Sequence, residues 1–133
     1  MSTKLDNLIN CSKYLKNGSI VAFPTETVYG LGGNAFNEDA IKKIYLVKER
    51  PTTDPLIIHI DSVTRLIEWN LVDLTELEFE TVKMFADKFW PGPLTIILKS
   101  SLNVPELVTA GSGFIGVRIP NNDLALSLIK NSN

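Results

Sequence analysis

The run Phe23-Pro24-Thr25-Glu26-Thr27-Val28-Tyr29-Gly30-Leu31-Gly32-Gly33 gathers hydroxyl groups and glycines just past an apolar stretch, Ser19-Ile20-Val21-Ala22-Phe23. Hydroxyls at a strand end can orient a small polar ligand, and glycines let its atoms approach the backbone. The competing reading is a strand-turn whose glycines supply positive φ. The spacing is not a dinucleotide fingerprint, because Gly30-Leu31-Gly32-Gly33-Asn34 lacks the third glycine in place. No Gly-x-x-x-x-Gly-Lys-Ser/Thr phosphate loop occurs either.

A second group is Lys48-Glu49-Arg50-Pro51, preceded by Lys42 and Lys43. Two cations leaving a helix end can complement its dipole. They can also clamp a triphosphate, Arg as a planar fork of donors and Lys as a point charge. His59, the single histidine, stands between Ile58 and Ile60. It reads as a packed, hydrogen-bonded strand residue or as a ligand contact. Arg118, between Val117 and Ile119, is placed similarly. Facing inward, it needs an anion, either an internal Asp or Glu or a substrate carboxylate. Facing outward, it is simply solvated. Cys11 has no catalytic neighbour in sequence and reads as a small buried hydrophobe.

The elements that must position these residues follow from periodicity. Residues 3–17 read as an amphipathic helix with Leu5, Leu8, Ile9 and Leu15 on one face and Gly18 as its stop. Residues 19–23 read as a buried strand ended by Pro24. Asn37 starts a second helix with Ile41, Ile44 and Tyr45 inward, and residues 55–60 form a short strand. Asp61 or Ser62 caps a brief helix carrying Val63, Leu66 and Ile67. Thr75 and Glu78 form a capping box for a helix that places Leu74, Leu77, Val82, Phe85 and Phe89 mostly on one side. Trp90-Pro91-Gly92-Pro93 ends it. Residues 94–98 and 114–119 are strands, and Asn122 or Asp123 opens a last helix with Leu124, Leu128 and Ile129. Strands alternating with helices give an α/β class with a mixed twisted sheet.

At 133 residues the chain is expected to be one domain with a core that needs no disulfide, and Cys11 alone can form none within the chain. One Cys and one His also exclude a closed zinc site of the usual Cys/His kind. Apolar residues make up 44% and charged residues 21%, which excludes a disordered composition. A net charge of −2 argues against a basic protein that coats phosphate backbones. The polar N-terminus lacks a signal-like apolar region, and no apolar run is long enough to span a bilayer. The expectation is a cytoplasmic protein with no membrane attachment.

Together the motifs resemble the YrdC/Sua5 family, the threonylcarbamoyl-AMP synthases. The matching stretches are Gly18 to Gly32, Lys48-Glu49-Arg50-Pro51, Asp54-Pro55-Leu56-Ile57-Ile58-His59-Ile60, Phe89-Trp90-Pro91-Gly92-Pro93-Leu94-Thr95 and Gly116-Val117-Arg118-Ile119-Pro120. Five elements in register across residues 18–120 make coincidence improbable. The resemblance implies a YrdC-like twisted open mixed sheet with flanking helices around a concave, positively charged cavity. It implies an enzyme that joins L-threonine, bicarbonate or CO2 and ATP into threonylcarbamoyl-AMP, releasing pyrophosphate. A separate complex then transfers the threonylcarbamoyl group to N6 of adenosine 37 in tRNA.

By the same resemblance, Lys48 and Arg50 stabilise the pyrophosphate leaving group together with Mg2+ bound to ATP. Asp54 contacts the nucleotide. Thr27, Tyr29 and His59 contact threonine, and Arg118 pairs with its carboxylate. Thr25 and the backbone after Tyr29 are weaker candidates. Two departures stand out. Ser112-Gly113-Phe114 replaces a Leu-Asp-Thr that family members often carry, and the Ser-x-Asn nucleotide contact that the family carries in an Ala/Pro/Ser-rich stretch after the last helix is not reached before the chain stops at Asn133. The expectation is therefore a single domain, 1–133, incomplete at its C-terminus as a truncated, split or degenerate member. Such a chain is expected to turn over weakly, to hold ATP poorly, and either to self-associate through exposed apolar surface as a homo-oligomer or to depend on a missing segment. Two other classes are weighed: a module that grips tRNA or double-stranded RNA without chemistry, and a carbamoyl-adenylate step of hydrogenase maturation. Threonine-dependent pyrophosphate release separates the enzyme from the binder.

Overall fold

The computed structural model describes the backbone of residues 3–24 and 29–132, and the side chains of these except residues 3–6, 24 and 29. The first helix, α1 (Thr3–Lys16), ends where Gly18 takes φ +85°. There the Ser19 N–H donates to the Tyr14 carbonyl (2.9 Å) and the Gly18 N–H to that of Leu15 (3.1 Å). This paired closure satisfies the last carbonyls and turns the chain into the first strand. Leu8, Cys11 and Leu15 pack with Val21, Phe23 and Leu128, so Cys11 is partly buried among apolar neighbours. Ile9, expected on the same face, is 44% exposed. One residue beyond Leu8 lies about 100° further round the helix, outside the stripe.

Strands β1 (Val21–Pro24) and β2 (Tyr29–Gly32) form an antiparallel pair with Phe23 opposite Gly30. Helix α2 (Glu38–Val47) starts at Asn37, whose side-chain oxygen accepts from the Ala40 N–H, and Ile41, Ile44 and Tyr45 are buried as expected. A second sheet has the order β3 (Ile57–His59), β5 (Phe114–Arg118), β4 (Ile96–Lys99). β3 is parallel to β5 and β4 antiparallel, which makes it mixed. One face buries Ile58, Leu98, Ile115 and Val117 in the main core. Alternation puts Ile57, His59, Gly116 and Arg118 on the other face.

Between the strands lie α3 (Arg65–Glu68), α4 (Glu76–Phe89) and α5 (Glu106–Thr109), and α6 (Asp123–Asn131) closes the chain against α1. α5 has too few residues to show a period and escapes sequence reading. α3 begins at Thr64 with no side-chain cap; Asp61 instead pairs with Arg65 at 2.8 Å. Arg65 also stacks over the Trp69 ring. Leu66 is buried, but Ile67 points outward.

The capping box of α4 forms as read. Glu78 N–H donates to the Thr75 hydroxyl (3.2 Å) and Thr75 N–H to the Glu78 carboxylate (2.9 Å). The Thr75 amide and hydroxyl hold the Glu78 carboxyl below its ordinary 4.5, so this support is present above that pH and fades as pH falls through the lowered value. Its apolar side is a correction. Val82 and Ala86 face the core, whereas Leu77 is 79% exposed and Phe85 and Phe89 are half-exposed and stacked on each other. The helix carries apolar residues on more than one face, and tertiary docking chose between them. Thr75→Ala is expected to cost about 1 kcal/mol. Urea titration should show a lower midpoint at unchanged slope; an unmoved midpoint would mean that the cap contributes nothing.

Candidate functional site

The glycines after β1 make room rather than supply positive φ. Among the described glycines only Gly18, Gly111 and Gly113 have positive φ. A Cβ on Gly32 would clash with the Phe23 ring, 2.7 Å from its Cε1, whereas one on Gly30 would make ordinary contact, 3.6 Å from Cζ. The Phe23 ring can therefore lie across β2, and it meets the His59 ring edge-on at 5.8 Å and 79°. Sequence reading quoted Phe23 within the motif but gave it no role. Its position over His59 depends on two segments that meet only in space.

His59 and Arg118 are register partners on β3 and β5. Arg118 Nη2 is 3.1 Å from His59 Nε2. A guanidinium can only donate, so Nε2 accepts and the ring proton sits on Nδ1. Arg118 Nε is buried with no hydrogen-bond partner, and among the described residues no Asp or Glu forms an ion pair with Arg118. The internal-carboxylate reading of Arg118 thus finds no support among the described residues. What remains among the described residues is a partly buried cation, braced by the His59 ring and with no carboxylate partner.

Lys48 and Arg50 leave α2 through a tight reversal. Glu49 takes φ +52°, Arg50 N–H donates to the Tyr45 carbonyl (3.0 Å) and Glu49 N–H to that of Leu46 (3.2 Å). A left-handed residue other than glycine is strained by about 1 kcal/mol or more. The reversal gives Lys48 an exposed side chain and sends Arg50 back along the next loop. Arg50 does not cap its own helix. Its Nη2 donates to the Pro55 carbonyl (2.6 Å) and its Nε to that of Asp54 (3.4 Å).

One cavity of about 640 Å³ collects these groups: Lys48, Arg50, His59 and Arg118 all line it. Gly30, Gly32 and Phe23 form one wall, while Leu15 and Leu128, from opposite ends of the chain, form another. Trp69 and Leu71 also reach it, and no local sequence signal marks them. The Asp54 side chain is exposed and is not among the lining residues; its carbonyl takes part through Arg50. Thr25 and Thr27 lie outside the described residues, and Tyr29 is described by its backbone alone, in β2. Among the described residues no group of three His, Cys, Asp or Glu could hold a metal ion. None of the described helices is long and apolar enough to cross a membrane. The cavity is thus a largely apolar bowl with cations in its lining, suited to a ligand with an organic body and anionic groups.

The chain matches the Sua5/YciO/YrdC family, described as telomere recombination, over residues 13–133. It is 46% identical over 118 residues to the threonylcarbamoyl-AMP synthase of Pyrococcus abyssi, covering 88% of this chain and 33% of that protein. To the Bacillus subtilis threonylcarbamoyl-AMP synthase it is 44% identical over 133 residues, covering 99% of this chain and 37% of the relative. The solved structure of P. abyssi Sua5 complexed with L-threonine superposes with a TM-score of 0.86 at 44% identity, over 94% of this chain and 35% of that one. The chain therefore spans about a third of these relatives' length.

Proposed function

From the premise that the chain belongs to the Sua5/YciO/YrdC family, we propose that it forms L-threonylcarbamoyl-AMP and pyrophosphate from L-threonine, bicarbonate or CO2 and ATP. The observation that carries this reading is the cavity lined by Lys48, Arg50, His59 and Arg118 in a chain of net charge −2. Two separate cationic positions within one apolar bowl match a reaction that joins a carboxylate-bearing amino acid to a polyphosphate.

In this reading Arg118 takes the threonine carboxylate, which supplies the anion it lacks. His59 orients the guanidinium through Nε2 and, with Thr27 and Tyr29, contacts the amino acid. The amine adds to CO2 and loses a proton to give a carbamate; starting from bicarbonate, the same carbamate forms with loss of water. A carbamate oxygen attacks the α-phosphorus, and pyrophosphate leaves. Lys48 and Arg50 stabilise the charge that grows on the leaving group, and Asp54 borders the nucleotide. The apolar walls restrict water around the labile carbamate. Mg2+ carried by ATP would neutralise charge on the phosphates beside Lys48 and Arg50; no cage of side chains is assigned to it. Transfer to tRNA belongs to a separate partner. The product and the tRNA step are part of the same proposal, as is a cytoplasmic setting.

The test is pyrophosphate release from ATP in the presence of bicarbonate and an amino acid. L-Threonine is expected to drive release at least tenfold faster than L-valine, because valine leaves the polar groups that meet the threonine hydroxyl unpaired. Equal rates with both, or no dependence on amino acid, would refute the reading. Salt-sensitive tRNA binding without release would favour the non-catalytic module instead.

A further inference from the structure

Tyr45 stands in the last turn of α2 and is only 4% exposed. Its hydroxyl lies 2.8 Å from the carbonyl of Asp54 and 2.7 Å from that of Leu107, in α5. One proton thus serves two acceptors and ties the loop before β3 to α5. The Asp54 carbonyl is also the acceptor for Arg50 Nε, and the neighbouring Pro55 carbonyl takes Nη2. Leu56 N–H closes the same junction on Val108 (3.0 Å).

We infer that Tyr45 is a positioning residue for the phosphate-binding cations: its hydroxyl fixes the carbonyls on which the Arg50 guanidinium is aimed into the cavity. This rests on the reading of Lys48 and Arg50 as the groups that hold ATP phosphates. An arginine side chain has many rotamers to lose, and two carbonyl acceptors hold it only if they are themselves immobile. Residues 51–55 belong to no helix or strand and are exposed, so their fixation must come from the packed elements on either side. Tyr45 supplies a link to both at once. Burial pushes its phenol above the ordinary pKa of 10.0 while Arg50 pulls the other way, so the hydroxyl remains a donor through the neutral range. A phenylalanine at 45 would fill the same apolar space and lose only the donor.

The experiment compares wild type, Tyr45→Phe, Arg50→Lys and the double variant. Proton exchange at Arg50 Nε is followed by NMR, and pyrophosphate and L-threonine are titrated by calorimetry. Tyr45→Phe is expected to speed Arg50 Nε–H exchange severalfold and to weaken pyrophosphate about fivefold, leaving L-threonine unchanged. In the Arg50→Lys background, which lacks the guanidinium, the added Tyr45→Phe change is expected to have no further effect on pyrophosphate. Unchanged Arg50 exchange in Tyr45→Phe, equal weakening of both ligands, or additive losses in the double variant would overturn the inference. If wild type fails to bind pyrophosphate while Arg50 exchange still quickens in Tyr45→Phe, the phosphate reading fails and the hold of Tyr45 on Arg50 stands.

Discussion

Arg118→Met is expected to weaken L-threonine binding about 100-fold while leaving the fold at least as stable as wild type. The two effects have one cause. Among the described residues the Arg118 guanidinium has His59 as its side-chain partner, its Nε is buried and unpartnered, and no carboxylate pairs with it. A partly buried cation without a counter-ion costs desolvation that its hydrogen bonds do not return. Methionine fills similar space without that cost. For the ligand, the same substitution removes a charge-assisted fork to its carboxylate, and about 2.8 kcal/mol corresponds to 100-fold. Calorimetric titration with L-threonine and a thermal melt read the two quantities separately. Threonine affinity equal to wild type would remove Arg118 from the amino-acid site. A melting temperature lowered by several degrees would show that the guanidinium is structural.

Arg50→Ala is expected to weaken ATP by about 1.5–3 kcal/mol, roughly 10-fold to 150-fold, and Lys48→Ala by less. The ranking follows from geometry. Arg50 is held on the carbonyls of Asp54 and Pro55 and offers donors already fixed in direction. Lys48 has an exposed side chain and must be ordered on binding. Arg50→Lys tests the same point from the charge side: it keeps the cation but loses the fork, so it should recover only part of the affinity. Calorimetry with ATP on each variant decides it. Equal losses at the two positions would mean that preorganisation of Arg50 counts for nothing, and an unchanged affinity in folded Arg50→Ala would remove it from the phosphate site.

Local signals were legible wherever a residue acts on its near neighbours in sequence. Asn37 and Asn122 cap α2 and α6, Thr75 and Glu78 close their box, and Gly18 ends α1 in the left-handed region. These devices depend on groups two to five residues apart, so sequence spacing is their geometry. Apolar periodicity was weaker evidence. It identified the buried side of α2 but placed Leu77, Phe85 and Phe89 of α4 together on the wrong side, since a helix with apolar residues on several faces does not choose its own partner.

The residue types of the candidate site, and four of its members, were thus readable from Lys48, Arg50, His59 and Arg118 through their motifs. The common cavity was not. It forms where Leu15 near one end of the chain meets Leu128 near the other, and where parallel pairing sets His59 beside Arg118, 59 residues apart. Nor could composition explain Gly32. Its lack of a side chain accommodates the Phe23 ring, and that ring's edge contact with His59 exists only once two sheets have docked. The sequence determines which groups can cap, turn and carry charge, because those properties are local and covalent. Tertiary structure alone decided which charges share one volume and which cation has no counter-ion among the described residues, because burial and pairing depend on surfaces brought together over long separations in the chain.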